Sequence, residues 1–299
     1  MTLDQLRIFV AVAERGHLTK AADLLSLTPS AVSASIRVLE ERYGTPLFDR
    51  VGRGIEINEA GRNFLPEARS TLASARATEM TLAELGSGKR GTLNMQASQT
   101  IASYWLPRLL VRFHQAYPLV DICLTLGNTQ SVARAVMEGR TEIAFVEDRV
   151  DEAVLSSRPV SEDHFAVVVA PGHPWADGAP VSPTMLLSGE WVMREQGSGT
   201  RSAFEVMLAG VGIDSADLDV ALTLPSNESV VAAVRAGPYV TVVSSLVIAS
   251  ELQAGLLRTV NIALPPRWFY LLRHASRYKS RASLALEQLI RQDDIPWSE

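Results

Sequence analysis

Three helix patterns lie within the first 45 residues of this 299-residue chain, and the short connections between them restrict the fold more than any other feature. Apolar residues recur at three- and four-residue steps from Leu3 to Ala13, which predicts an amphipathic helix. A second helix is predicted from Lys20 to about Leu25, with Thr19 as its N-terminal cap. The small side chains of Ala21 and Ala22 allow a neighbouring helix to cross this one closely.

The third helix has the clearest start in the sequence. Thr28 is a good N-cap, and Pro29 occupies the first helical position, where its missing N–H costs nothing. The helix is expected to run to about Tyr43 and to end at Gly44. Only residues 26–28 separate it from the second helix, and two short helices joined this tightly are typical of a helix-turn-helix.

Small polar side chains lie off the apolar stripe of the third helix, in positions from which they could enter the major groove of DNA. Hydroxyl groups can bind phosphates or base edges, and an arginine can reach a phosphate or a guanine. The candidate DNA-binding residues here are Thr28, Ser30, Ser33, Ser35 and Arg37. The alternative is a three-helix bundle that presents a serine-rich face to solvent.

A short hairpin, or wing, is predicted after the helix-turn-helix, because residues 50–58 alternate apolar and polar side chains around two glycines. Arg50 and Arg53 fall at its tip. Arginines beside a recognition helix can reach the DNA backbone or the minor groove, although exposed arginines on a turn are usually only solvated. These two arginines complete the set of candidate DNA-binding residues.

A long helix is predicted from Glu59 to about Leu85, where Ala, Glu, Arg and Leu are abundant. Leu72 and Leu82 belong to its narrow apolar seam, and Pro66 should kink its first turns. A solitary helix with such a seam needs a partner, and pairing with a second copy of the chain is the economical solution. The alternative is that the helix packs on its own chain.

Strand and helix patterns alternate after residue 91, which predicts an α/β fold with a mostly parallel sheet. Several predicted strands end in glycine or small hydroxyl residues where a helix begins, and helix N-termini offer free N–H groups to a small polar or anionic ligand. The candidate ligand-binding residues are Ser98, Thr100, Asn128, Thr129, Ser198, Thr200 and Arg201. Each cap residue taken alone is better explained as an ordinary helix cap.

The motifs argue against several other classes of protein. The sequence lacks G-x-S-x-G, a Walker lysine and a G-x-G-x-x-G after the first strand, so an enzyme is not expected. Metal-ligand spacing is also missing, so we expect neither a metal nor a cofactor. The single cysteine, Cys123, lies in an apolar run and is predicted to be a buried structural thiol. Without a membrane span or signal peptide pattern, the protein is expected to be cytoplasmic.

The N-terminal residues resemble the helix-turn-helix signature of LysR-type transcriptional regulators. The matching positions are Ala21-Ala22, Leu25, Thr28, Ser30-Ala31-Val32-Ser33, Ile36, Leu39-Glu40, Gly44, Pro46-Leu47-Phe48 and Arg50. Residues 58–61 resemble the entry into that family's linker helix, which dimerises and spaces two DNA-binding heads. The family often has glutamine where this chain has Pro29, so a possible base or phosphate contact is lost.

The resemblance continues through the C-terminal two thirds, towards the branch that includes regulators of carbon fixation and sulfur assimilation. Matching segments include residues 127–129, 146–147 and 194–201, whereas Gly237-Pro238-Tyr239 departs from the Gly-x-Gly turn that is common there. The resemblance implies a two-lobed effector domain like a periplasmic binding protein. The predicted organisation is a winged helix-turn-helix at 1–58, a linker at 59–90 and an effector domain at 91–299, with lobe I at 91–160 and 267–299 and lobe II at 161–266.

By this resemblance, the chain is expected to regulate transcription by binding double-stranded DNA as a homodimer or homotetramer. A small polar or anionic metabolite bound between the lobes would change the spacing of the heads, the bend of the DNA and the contact with RNA polymerase. The alternatives are a solute-binding α/β protein, for which a winged helix would be out of place, and a small-molecule enzyme.

The net charge of −5 is distributed unevenly along the chain. Residues 1–63 hold eight Lys or Arg and eight Asp or Glu, so the predicted DNA-binding head is neutral and the remainder carries the whole excess. DNA binding must therefore depend on where a few arginines and hydroxyls are placed, and on the use of two heads, more than on a generally basic surface.

Replacing Arg37 with alanine is expected to weaken DNA binding and to flatten its dependence on salt concentration, because one cationic contact to phosphate is lost. Fluorescence anisotropy at several salt concentrations measures both quantities, with Arg258→Ala outside the head as the control. An unchanged affinity would count against this helix as the element that reads DNA.

Overall fold

The computed structural model describes residues 1–51, 54–87 and 91–292. The chain divides into two compact units, the first comprising residues 1–85 with 137–140 and the second comprising the rest. Among the described residues, no helix combines the length and the apolar character that crossing a bilayer requires.

Three helices and a hairpin open the first unit, as the sequence predicts. The elements are α1 (Leu3–Arg15), α2 (Leu18–Leu25), α3 (Pro29–Tyr43), β1 (Phe48–Val51), β2 (Gly54–Ile57) and α4 (Glu59–Ser87). α3 ends at Gly44, whose φ of 64° is the left-handed conformation that glycine adopts without strain. α2 begins earlier than predicted, because its cap is His17 and not Thr19. The Nδ1 atom of His17 accepts a hydrogen bond from the backbone N–H of Thr19.

One apolar core joins α1, α2 and α3 to the hairpin and to the first half of α4. Phe9 is fully buried, and its ring centroid lies 5.5 Å from that of Phe48 and 4.9 Å from that of Phe64 on α4. Leu72, two turns further along α4, belongs to the same core and is 8% exposed, whereas Leu82 is 66% exposed. The seam predicted for pairing between copies is therefore divided: its first part packs on its own chain, and Leu82 stays exposed.

The second unit contains two α/β lobes, each built on one sheet. Its elements are β3 (Gly91–Ser98), α5 (Leu106–Ala116), β4 (Val120–Gly127), α6 (Thr129–Met137), β5 (Ile143–Val146), β6 (Leu155–Asp163), β7 (Phe165–Val169), β8 (Glu190–Arg194), α7 (Gly199–Gly210), β9 (Asp219–Leu224), α8 (Asn227–Ala236), β10 (Val240–Ser244), α9 (Ser245–Gln253), β11 (Arg258–Thr259), β12 (Arg267–His274) and α10 (Arg281–Arg291). A π-helical segment, Ile101–Trp105, precedes α5. The sequence did not predict β6, which contains Pro159 and only two fully buried apolar residues, because such a strand is tolerated at a sheet edge without a regular apolar pattern.

The two sheets have the same strand arrangement. Their orders are β4-β3-β5-β12-β6 in the first lobe and β9-β8-β10-β7-β11 in the second. In each sheet the fourth strand, β12 or β7, runs antiparallel to both of its neighbours, and the other four strands share one direction. Each sheet is therefore mixed, with two parallel and two antiparallel pairings, whereas the sequence predicted a mostly parallel sheet. The chain crosses to the second lobe between β6 and β7 and returns at β12, so the C-terminal strand and helix complete the first lobe.

Cys123 is exposed, and the prediction of a buried thiol is wrong. It lies on β4, an edge strand of the first sheet, and it shares the outward face with Asp121 and Thr125. The apolar run around it suggested a strand covered on both faces. Only one face of β4 is covered, the face on which Ile122 and Leu124 pack against the core.

We expect Leu72→Ala to lower the free energy of unfolding of the first unit by about 2–4 kcal/mol, because it removes a buried side chain. Leu82→Ala should change it by less than about 0.5 kcal/mol, since that side chain is exposed. Far-UV circular dichroism of the full chain in urea follows the helices of both units, so the first unit is measured by the part of this signal whose transition tryptophan fluorescence does not share. All five tryptophans lie beyond residue 100, so their fluorescence follows the second unit and should not change. Equal effects of the two substitutions would contradict the division of the seam.

Candidate functional site

The N-terminus of α3 is built by its own first residues. The Oγ1 atom of Thr28 accepts a hydrogen bond from the backbone N–H of Ala31 at 3.2 Å and lies 3.0 Å from the hydroxyl of Ser30. Pro29 occupies the first turn, where the backbone N–H groups have no partner within the helix. Thr28 and Ser30 are both exposed, so this helix start is accessible to a ligand such as a phosphate group.

One face of α3 carries exposed polar residues along its length. Ser30, Arg37 and Glu41 fall on the same side of the helix, and the guanidinium of Arg37 lies 3.7 Å from the carboxylate of Glu41. Ser33 and Ser35 are half-buried at the two margins of this face. A phosphate that binds Arg37 must compete with Glu41, because the two anions would share one cation.

The hairpin after α3 is held in place by Glu40. Its carboxylate accepts hydrogen bonds from the backbone N–H groups of Leu47 at 2.7 Å and Phe48 at 3.3 Å, which fixes the start of β1 against α3. Arg50 is exposed on β1, and Arg53 lies outside the described residues. Sequence reasoning noted Glu40 only as part of a family pattern and did not identify it as the residue that positions the hairpin.

A second cluster of polar residues lies where the two lobes of the second unit meet. β3, β4 and β5 are parallel, so Ser98, Gly127 and Glu147 lie at or just beyond the same edge of the first sheet. In the second lobe, the parallel strands β8 and β9 lead to the N-termini of α7 and α8. Hydrogen bonds join the strand ends of the first lobe to the helix N-termini of the second lobe. Most of these bonds involve the candidate residues or their neighbours.

Glu147 is the centre of this contact and is almost completely buried. One carboxylate oxygen accepts the backbone N–H of Thr100 at 3.0 Å, and the other accepts the hydroxyl of Thr200, from the second lobe, at 3.0 Å. The second oxygen also lies 3.5 Å from the guanidinium of Arg267. Burial alone would raise the pKa of Glu147, but Arg267, the hydrogen bonds from Thr100 and the charge of Arg194 outweigh it and hold the pKa below its ordinary 4.5.

Arg267, at the start of β12, is a charged residue that sequence reasoning missed. Its Nε atom donates to Asp163 at 2.7 Å, and its guanidinium lies over the ring of Phe165 with 4.2 Å between the guanidinium carbon and the ring centroid. Its Nη2 atom is buried and has no hydrogen-bond partner among the described residues. A lone arginine before the apolar residues of a predicted strand was the available signal, but that strand was assigned from Phe269 onward.

Three of the candidate hydroxyl groups are likewise buried without a hydrogen-bond partner. The side-chain oxygens of Ser98, Thr129 and Ser198 are buried and have no hydrogen-bond partner within the described part of the chain. A Cβ atom at Gly199 would lie 2.5 Å from the hydroxyl oxygen of Thr129 and 2.8 Å from the Cβ atom of Glu147, so α7 begins directly against the first lobe. Buried donors without partners are costly, and a ligand that accepts hydrogen bonds would satisfy them.

The remaining candidates have partners within the protein. Thr100 accepts a hydrogen bond from the side-chain amide of Asn227 at 3.1 Å. Asn128 caps α6 by accepting the backbone N–H of Ser131 at 2.9 Å. The guanidinium of Arg201 turns away from the buried hydroxyls, donating to Glu205 at 2.8 Å and to the backbone carbonyl of Arg194 at 3.0 Å.

Two family models match the chain. The model of the bacterial regulatory helix-turn-helix protein of the lysR family matches residues 3–62, and the LysR substrate binding domain matches residues 86–294. An uncharacterized HTH-type transcriptional regulator of Escherichia coli, YeiE, is 36% identical over 284 residues, which is 94% of each chain. A probable RuBisCO transcriptional regulator of Cyanidioschyzon merolae is 34% identical over 96% of each chain, which supports the expected likeness to regulators of carbon fixation.

A solved structure adds a likeness for the second unit. The regulatory domain of CcmR from Synechocystis, in complex with 2-PG, has a TM-score of 0.62 and 26% identity, and it covers 68% of this chain and 97% of that chain. The relatives are regulators of transcription and not enzymes.

The ion pair at Glu147 makes the stability of the second unit sensitive to acid. Because its folded pKa lies below 4.5, ionised Glu147 stabilises the fold above about pH 4.5, and this contribution is lost as the pH falls through the folded pKa. Glu147→Gln should therefore flatten the pH dependence of the unfolding free energy below pH 4.5, measured by tryptophan fluorescence in urea. Glu152→Gln, at an exposed position, is the control. If the unfolding free energy of Glu147→Gln falls with pH as steeply as that of the unmodified protein, Glu147 is not the group responsible.

Proposed function

The chain is a LysR-type transcriptional regulator, and we propose that a small anionic metabolite controls it by binding between the two lobes of its second unit. The observation that carries this proposal is the set of buried donors without partners: the hydroxyls of Ser98, Thr129 and Ser198 and one N–H group of Arg267. Donors that converge on one small region favour a ligand rich in oxygen acceptors, such as a phosphate or a carboxylate.

Arg267 is a better source of positive charge for this ligand than Arg201. The guanidinium of Arg267 already faces Glu147 and Thr200, at the junction of the lobes, and retains an unused donor. That of Arg201 is occupied by Glu205. The proposed effector-binding residues are therefore Ser98, Thr100, Asn128, Thr129, Ser198 and Thr200, with Arg201 replaced by Arg267 as the charged member.

Sequence-specific binding to double-stranded DNA is proposed for the exposed face of α3 and the tip of the hairpin. Ser30 and Arg37 contribute most, since they share that face, and Ser33 and Ser35 flank it. Thr28 fixes the helix start, and Arg50 and Arg53 reach the backbone beside it. Because residues 1–63 are electrically neutral, one head binds weakly and two are needed.

Dimerisation is proposed to use the C-terminal part of α4, around the exposed Leu82. The proposed domains are the winged helix-turn-helix at 1–58, the linker at 59–90 and the effector domain at 91–299. An effector shifts the assembly only by its difference in affinity for two arrangements of the lobes. We infer that this change alters the spacing of paired heads, in a dimer or a tetramer in the cytoplasm, and thereby the contact with RNA polymerase.

The anion site is tested by titrating the full chain with 2-PG, inorganic phosphate and sulfate in an isothermal calorimeter, with glucose as a neutral control. Ser198→Ala and Ser98→Ala should each weaken binding about tenfold, the typical effect of one hydrogen bond to a charged group. Arg201→Ala and the exposed Ser182→Ala should bind as the unmodified protein does. If none of the anions binds, or if Ser198→Ala and Ser98→Ala bind normally, the proposed site is wrong.

A further inference from the structure

The two lobes are joined at a second place, where Glu228 at the start of α8 meets the first lobe. The side-chain amide of Gln99 donates to one carboxylate oxygen of Glu228 at 2.8 Å, and the phenol of Tyr104 donates to the other at 3.1 Å. The side-chain oxygen of Gln99 accepts the backbone N–H of Asn227 at 2.8 Å. Two hydrogen bonds donated by Gln99 and Tyr104, and one accepted by Gln99, therefore hold the first turn of α8 against the first lobe.

The hydrogen bond from the backbone N–H of Asn227 to Gln99 depends on the contact between the two lobes. The N–H groups in the first turn of a helix have no partner within that helix. Ser229 finds its acceptor in the local cap Ser226, but Asn227 finds its acceptor only in the other lobe. If the lobes move apart, this N–H loses its partner, so its exposure to solvent reports their separation directly.

Tyr104 is placed for this contact by an unusual stretch of backbone. It belongs to the π-helical segment Ile101–Trp105, a conformation that is rare and is often found at functional positions. Its ring packs against the apolar cluster of the second lobe that contains Val230 and Val247. Burial, with the nearby charge of Glu228, raises the pKa of Tyr104 to about 12, so the phenol keeps its proton at physiological pH.

This contact is separate from the buried donors but connected to them. Gln99, Tyr104 and Glu228 satisfy one another and offer no unused buried donor, so an effector has no reason to displace them. The connection runs through Asn227, whose side-chain amide donates to Thr100 at 3.1 Å, while the backbone N–H of Thr100 donates to Glu147. A change at Glu147 can therefore reach the first turn of α8 in two steps.

We propose that Gln99, Tyr104 and Glu228 form a latch that keeps the two lobes together independently of the effector and thereby sets the affinity for it. The second half of this statement rests on the proposed function. A ligand that binds only the closed arrangement has an apparent dissociation constant equal to its intrinsic value divided by the closed fraction. Weakening the latch lowers that fraction and weakens binding without removing any contact to the ligand.

The first arm of the test measures the latch without any ligand. Hydrogen–deuterium exchange of the full chain, resolved to the amide of Asn227, is compared for the unmodified protein, Gln99→Ala and Tyr104→Phe. Gln99→Ala removes the acceptor itself and should raise the exchange rate at Asn227 about tenfold whether or not the lobes move. Tyr104→Phe keeps that acceptor, so a rise of about threefold in this variant reports separation of the lobes. Tyr117→Phe, which removes a hydroxyl group just after α5, should leave the exchange rate at Asn227 unchanged. The amides of β3 and β8 should exchange normally in every variant.

The second arm measures affinity for 2-PG or inorganic phosphate by calorimetry. Both latch variants should bind about three- to tenfold more weakly than the unmodified protein. Normal exchange at Asn227 in Tyr104→Phe overturns the latch, and so does faster exchange throughout both sheets, which would indicate general destabilisation. Faster exchange at Asn227 with unaltered anion affinity overturns its role in setting affinity. If the unmodified protein binds no anion, the proposed function fails, while the exchange arm still decides whether the latch exists.

Discussion

The buried contact between Glu147 and Arg267 determines how the second unit can work. Each group would be costly to bury alone, and each has partners on both sides of the junction. The carboxylate accepts hydrogen bonds from Thr100 and Thr200, and the guanidinium donates to Asp163 and lies near the hydroxyl of Thr200. The charges sit where parallel strands end. Under the proposed function, a ligand that recruits Arg267 would alter the same hydrogen bonds that stabilise the junction, and with them the contact between the lobes.

The first unit is electrically neutral over residues 1–63, so its proposed DNA binding depends on where individual side chains lie and not on net charge. A neutral surface gives little general attraction to DNA, so the proposed DNA binding would depend on specific contacts for a larger share of its affinity. A phosphate that bound Arg37, as proposed, would have to break the pairing of Arg37 with Glu41. Glu40, one residue earlier on the same helix, points about 100° away from Glu41 and fixes the hairpin. Two adjacent carboxylates thus have different partners, one the hairpin and the other Arg37.

Local patterns predicted most of the elements, because caps and periodicity act over a few residues. The start of α3 at Thr28-Pro29, the long α4 and most strands of both sheets are examples. Errors arose where the deciding partner is distant in sequence. Cys123 is exposed because only the other face of β4, with Ile122 and Leu124, packs on the core. Leu72 is buried because the first half of α4 joins the core of the N-terminal helices. Arg267 became a candidate only when the fold brought it to Asp163 and Glu147, more than a hundred residues earlier.

The course of the chain through the two sheets has a consequence for biosynthesis. The second lobe is inserted into the first, because β12 fills the fourth position of a sheet whose other strands end at Asp163. A ribosome therefore releases the head and then the whole second lobe before it supplies the strand that closes the first. In an incomplete chain, the first unit can be folded while the first lobe of the second unit still lacks an inner strand of its sheet. Under the proposed function, a metabolite could act only after β12 has been made.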